Sequence, residues 1–266
     1  QNITLPEGLK TIGNEVFSDC QSLESINFPS TIESLGEKTF EDCENLKTVN
    51  FAENTTKLTT IKNRAFSNCS SLENFKIIPS IESIDSCAFQ CIENKDNNKF
   101  FSIDFSKATG LKEIDSSAFA NTKLQKDIVI PKSVTTIRSD TFGNTTGLEN
   151  LSFEQNSNLT TLEDAFIGSS IKKITLPAKL VSFSKNAFSY SELEEIVFDE
   201  NSEITAITKE IAYGVDNLRK ITFGKNLEQI TGSIVSSCPN VNEIAFPENS
   251  SLSKISGGAF KNLKIT

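Results

Sequence analysis

The 266-residue sequence predicts a repeat solenoid of the α/β type, mostly β, in which about eleven short coils stack and each covers the next. Three observations lead there. A segment of about 23 residues recurs along the whole chain. Its phenylalanines fall in two fixed slots. The hydrophobic content, 37 %, is low for a compact domain of this length but fits a stack one repeat thick, where every coil has a large surface.

The stretch from Ile26 to Val49 shows the pattern. A strand-like run ends at Pro29, Ile32 and Leu35 follow, then Thr39-Phe40, Cys43 and Leu46, and Val49 begins the next copy. Aligned on the first strand residue, coils 1 to 11 start at Ile3, Ile26, Val49, Phe75, Ile103, Ile128, Leu151, Ile174, Ile196, Ile221 and Ile244. They are 22–28 residues apart with no spacer, so residues 1–266 read as a single solenoid domain. Seven phenylalanines (28, 51, 105, 153, 198, 223, 246) stand at the third strand position and nine (17, 40, 66, 89, 119, 142, 166, 188, 260) in a later Ala-Phe slot. Phe75, Phe100 and Phe183 fill other apolar slots; Phe101 alone of the twenty lies off the pattern.

The physics of one coil follows from the two-residue period of a strand. Ile26 and Phe28 point one way, Ser25 and Asn27 the other. Pro29 stops the strand, Ile32 and Leu35 turn inward, and Phe40 closes the coil. One coil cannot bury these residues alone; stacked in parallel about 4.8 Å apart, each slot becomes a buried ladder. The first turn has two forms. The short form, often with Pro, spans nine residues from Ile26 to Leu35; the long form, with Asn-Ser-x-Leu, spans eleven from Leu151 to Leu162 and Ile244 to Ile255.

Composition excludes several functions. A net charge of −9 argues against nucleic acid, which needs clustered Lys and Arg. No apolar run approaches the ~20 residues of a membrane span. There is no His and no Trp, so a Ser or Cys nucleophile lacks its commonest base. The Asp and Glu residues are spread over the turns, and no glycine-rich phosphate loop occurs among twelve Gly. No catalytic, metal or cofactor site is expected. With no Met and a start at Gln1 inside a repeat, the chain reads as a segment of a longer protein.

The string ITLPEGLKTIGNEVFSDCQSL at 3–23, SIESIDSCAFQC at 80–91 and the long form FEQNSNLTTLEDAF at 153–166 resemble the BspA-like leucine-rich repeat family, over the whole chain. Coils 9 and 10 depart from it with Ile211-Ala212 and Ile234-Val235 in the Ala-Phe slot. The resemblance implies a right-handed leucine-rich coil with a parallel, concave β-sheet. It also implies a cell-surface or secreted protein of bacteria or protists that adheres to host proteins.

Alternation gives the concave surface. Its first column is Ser25, Thr48, Asn74, Ser102, Asp127, Asn150, Lys173, Glu195, Lys220 and Glu243. Its second is Asn27, Asn50, Lys76, Asp104, Val129, Ser152, Thr175, Val197, Thr222 and Ala245. The candidate partner-binding residues among them are Ser25, Asn27, Thr48, Asn50, Asn74, Lys76, Ser102, Asp104, Asp127, Asn150, Lys173, Glu195, Lys220 and Glu243. Lys173, Glu195, Lys220 and Glu243 form an alternating charge ladder that serves either binding or simply register and solubility. Neither column holds an aromatic, which disfavours a sugar pocket and leaves a protein surface, a host or matrix protein or the chain itself, as partner. A structural spacer or self-assembling scaffold is the alternative.

Cys20, Cys43 and Cys69 share one slot in consecutive coils, within disulfide reach, and buried free thiols are the reading preferred over bridges. Cys91 stands one place early for that slot, and no C-x-x-C pair suggests zinc. The polar insertion Glu93–Lys99 is either a contact loop or merely solvated. The seven Asn-x-Ser/Thr sequons are close to the number chance gives and do not point to glycosylation.

Overall fold

The computed structural model describes residues 1–93 and 99–265; of the Glu93–Lys99 insertion, residues 94–98 lie outside the described residues. Contacts divide the chain into two units, residues 1–125 with 141–147, and residues 126–140 with 148–266. Each unit is a β-solenoid of parallel strands with no helix among the described residues, and together they carry the eleven turns of the repeat.

In the first unit the opening strands of coils 1 to 3, Asn2–Thr4, Ser25–Phe28 and Thr48–Phe51, pair in parallel. Ile26 lies opposite Val49, and Phe28 opposite Phe51. Those of coils 4 and 5, Asn74–Lys76 and Ser102–Asp104, form a second pair, with Phe75 opposite Ile103. Two-residue strands at Thr60–Ile61, Ser83–Ile84 and Glu113–Ile114 build a separate ladder on the far side of the first turn. Like residues face like residues throughout, as a repeat with a fixed register requires.

The core of this unit is a column of rings. Successive centroids from Phe17 through Phe40, Phe66, Phe89 and Phe119 to Phe142 are 5.2–5.6 Å apart with planes within 10° of parallel. Phe75 meets Phe66 and Phe89 edge-on. One expectation is corrected here. Phe101, not Phe100, faces the interior: it is fully buried and stacks 5.6 Å from Phe89, whereas Phe100 is 45 % exposed beneath the Lys123 ammonium. The reason is a parallel bridge between Phe101 and Leu124, which extends the strand alternation back from Ile103 and Phe105 to Phe101.

The Phe slot sits in a turn with an unusual backbone. Residues two before and two after the phenylalanine adopt left-handed φ, as at Lys38 (55°) and Asp42 (61°) around Phe40, or Arg64 (53°) and Asn68 (57°) around Phe66. Left-handed φ costs a non-glycine residue about 1–2 kcal/mol, least for Asn and Asp. It is offset here because the alternating twist aims every second N–H at the next coil. The N–H groups of Lys38, Phe40 and Asp42 donate to the carbonyls of Asn63, Ala65 and Ser67 at 2.9–3.0 Å. Asp19, Asp42, Asn68, Asn121 and Asn144 all hold the later left-handed position.

In the second unit six opening strands pair in chain order: Asp127–Ile130, Asn150–Phe153, Lys173–Leu176, Glu195–Phe198, Lys220–Thr222 and Glu243–Ala245. Coils 9 and 10, which lack the Phe, remain regular. Ile211, Ala212, Ile234 and Val235 are buried, and the turn straightens into paired strands Ala212–Tyr213 and Val235–Ser236. Smaller side chains let the backbones lie flat where a ring would have needed a bay.

The two forms of the first turn alternate strictly from coil 2 onward. Nine residues separate the opening and inner apolar positions in coils 2, 4, 6, 8 and 10, as from Ile174 to Phe183. Eleven or twelve separate them in coils 3, 5, 7, 9 and 11, as from Ile196 to Ile207. The structural period along the turn edge is therefore two coils.

Candidate functional site

The opening strands carry the two polar columns, because their partners at alternate positions are the buried ladder. Every candidate residue from Ser25 to Glu243 is exposed or half-buried. The register of the first column is the expected one: Ser25 lies opposite Thr48, Asn74 opposite Ser102, Asp127 opposite Asn150, and Lys173, Glu195, Lys220 and Glu243 opposite one another in turn.

Neighbours in the columns satisfy each other. Ser25 Oγ donates to Asn2 Oδ1 at 2.8 Å, Asn50 Nδ2 to Asn27 Oδ1 at 2.8 Å, and Asn150 Nδ2 to Asp127 Oδ1 at 2.6 Å. The charge ladder resolves into two ion pairs, Lys173–Glu195 and Lys220–Glu243, each 2.6 Å. Glu243 raises the Lys220 pKa by hydrogen bonding, while Glu195 adds only a weaker, longer-range attraction. Asp104 is held below the ordinary carboxylate range, chiefly by hydrogen bonds from Ser106, whose backbone N–H is 2.8 Å away.

A further charged column lies one residue before the first, and the strand reading passed over it. Glu149 sits between Lys126 at 3.0 Å and Lys172 at 3.4 Å, and Lys47 pairs with Glu24 at 3.1 Å. Its signal in the sequence is the alternation of sign from coil to coil. The only two tyrosines also went unremarked. Tyr190 and Tyr213 stack edge to face at 5.4 Å on coils 8 and 9, and Tyr190 is 62 % exposed. Their signal is position: Tyr213 directly follows the Ile211-Ala212 slot, and Tyr190 follows Phe188 by two residues.

All six cysteines are free. The slot three residues after the Phe is a column of weak donors rather than of bridges. Cys43 Sγ donates to Phe17 O, Cys69 Sγ to Phe40 O and Thr122 Oγ1 to Phe89 O, at 2.9, 3.2 and 2.7 Å. Burial pushes the Cys43 thiol up to about 12 and Cys69 well above its ordinary value, so neither is a nucleophile. Ile92, buried, takes this slot in coil 4 and leaves Cys91 half-exposed. No cluster of three His, Cys, Asp or Glu residues that could hold a metal occurs among the described residues.

A family profile described as a BspA type leucine rich repeat region, in six copies, matches residues 1–107, 112–242 and 158–266. The chain belongs to the BspA-type leucine-rich repeat family. Solved structures with the same architecture include the pneumococcal vaccine antigen PcpA, 19 % identical, with a TM-score of 0.55 over 100 % of this chain and 87 % of that one. A leucine-rich repeat protein from Eubacterium ventriosum is 18 % identical, with a TM-score of 0.49 over 100 % and 83 % of the two chains. A leucine rich cell surface protein from Faecalibacterium prausnitzii is also 18 % identical, with a TM-score of 0.44 over 96 % and 87 %. No curated protein matches the BspA-type chain. No helix of the described residues is long and apolar enough to cross a membrane.

Proposed function

We propose that this chain is a non-enzymatic protein-binding module of a cell-surface or secreted protein, and that its opening-strand columns are the contact surface. The observation that carries this is the row of in-register polar side chains on the opening strands of each unit, exposed over rigid, ring-filled coils. A pre-ordered surface binds without the entropic cost of folding. Membership of the BspA-type family supports the placement outside the cell.

The test is capture of matrix proteins from host extracellular material by the immobilised chain, compared with a variant reversing Lys173, Glu195, Lys220 and Glu243. Binding that the reversal weakens by tenfold or more supports the surface; binding that the reversal leaves unchanged places it elsewhere. The spacer reading predicts no capture and a concentration-dependent rise in mass by sedimentation instead.

A further inference from the structure

The alternation of turn lengths has a consequence in the second unit. The short turn of coil 8, Pro177-Ala178-Lys179, lies between the long turns of coils 7 and 9. The three enclose a notch of about 930 Å³, at the upper end of the volumes of small-ligand sites. Pro177 and Ala178 contribute its apolar lining, and Glu154, Asp199 and Glu203 its carboxylates.

The walls are preformed. Asp199 N–H donates to Leu176 O at 2.9 Å, and Glu203 N–H to Ala178 O at 2.8 Å, which ties the coil 9 turn to coil 8. Asp199 Oδ1 accepts the Asn201 N–H at 2.8 Å. On the opposite wall Glu154 Oε2 accepts the Lys132 N–H at 2.9 Å, and the Asn158 N–H donates to Lys132 O.

The charge is unbalanced. Lys179 is the cation among the lining residues, and its ammonium is bonded to Asn158 Oδ1 at 2.7 Å. Three carboxylate residues, Glu154, Asp199 and Glu203, share the lining with it, and Asp199 and Glu203 take part in no ion pair among the described residues. The notch is also continuous with the opening-strand face, because Ser152 and Thr175 of the second column line it.

We infer that this notch receives an arginine side chain from an extended segment of a partner protein lying along the opening strands. The reading rests on the proposed binding role and names one subsite for it. A guanidinium fits because it forms paired N–H bonds to a carboxylate and because its methylene stem packs on apolar surface such as Phe153 and Pro177. Carboxylates on both walls, Glu154 on coil 7 and Asp199 and Glu203 on coil 9, would repel an acidic segment, which gives the surface a sign as well as a shape.

The test is fluorescence anisotropy with two labelled peptides, Gly-Ser-Arg-Gly-Ser and the same peptide with Gln for Arg, at low and high salt. The arginyl peptide binds at least tenfold more tightly than the glutaminyl one, and raising the salt abolishes the difference. The double variant Glu154→Gln with Glu203→Gln loses the preference, while Glu248→Gln on coil 11 keeps it. Lys179→Glu strengthens it severalfold, which guards against a loss caused by misfolding. Equal binding of the two peptides, or a preference surviving the double variant, overturns the inference. Peptide binding without capture of any protein defeats the proposed function alone. Protein capture indifferent to the double variant defeats the notch alone.

Discussion

Phe66→Ala is the sharpest perturbation of the fold. Phe66 is fully buried and touches three other rings: Phe40 at 5.2 Å and Phe89 at 5.5 Å, both nearly parallel, and Phe75 edge-on at 5.0 Å. Truncating a core Phe to Ala costs about 3–5 kcal/mol, from lost transfer free energy and the cavity left behind. Each ring contact adds ~0.5–1.5 kcal/mol beyond area. The rows above and below are fixed by backbone pairing, so the site cannot collapse, and the cost belongs at the upper end, about 4–5 kcal/mol. Phe66→Leu keeps most of the volume but loses the three ring contacts, and costs about 1.5–3 kcal/mol. Phe100→Ala, at an exposed ring, stays within about 1 kcal/mol, the worth of its contact with Lys123. Urea unfolding followed by hydrogen exchange reads all three, since exchange resolves loss confined to neighbouring coils. A Phe66→Ala cost below about 2 kcal/mol, or one no larger than that of Phe100→Ala, would refute the ring column as the source of stability.

Four other outcomes are expected. At pH 8 a thiol with a pKa of about 12 is ionised to roughly one part in ten thousand, so Cys43 and Cys69 react with a thiol reagent only on unfolding; mass spectrometry after native labelling checks this. Burial, then the Asp164 carboxylate, raise the Asp140 pKa. The folded state thus holds that proton more tightly than the unfolded chain, and the charge costs stability above the folded pKa but not below the unfolded one. Asp140→Asn, whose amide tolerates the φ of 55°, should therefore stabilise the fold more at pH 7 than at pH 3 by chemical denaturation; equal effects at both pH values contradict it. A β-carbon on Gly36 would stand 2.4 Å from Asn14 N, whereas one on Gly13 meets only Val16 at 3.8 Å. Gly36→Ala is expected to cost about 1–3 kcal/mol by chemical denaturation and Gly13→Ala far less. A double-mutant cycle on Lys173 and Glu195 should give ~0.2–1 kcal/mol at low salt and nothing resolvable in 1 M salt.

The column assignments were legible because strand alternation and an exact repeat leave one register. Once Ile26 and Val49 are matched, Ser25 must face Thr48, and it does. The insertion before Ile103 broke that logic, since nothing local says whether Phe100 or Phe101 faces inward; a long-range bridge to Leu124 decides it. The same limit hid the left-handed turns, which are stabilised by carbonyls 22–29 residues further on rather than by local propensity. Lys126, Glu149 and Lys172 escaped because they precede the strand, where alternation gives no prediction. The notch escaped for another reason: it belongs to no single copy, only to the order in which long and short copies follow each other.

That ordering sets how such a chain could change its length. Loss of one short coil such as coil 8 from the second unit would bring two long loops side by side and close the gap between them. Loss of two neighbouring coils would leave the remaining edge with the same spacing and the same sequence of recesses. From coil 2 onward the edge therefore repeats as a doublet, and variants of this array that keep its edge chemistry should differ from it by even numbers of coils.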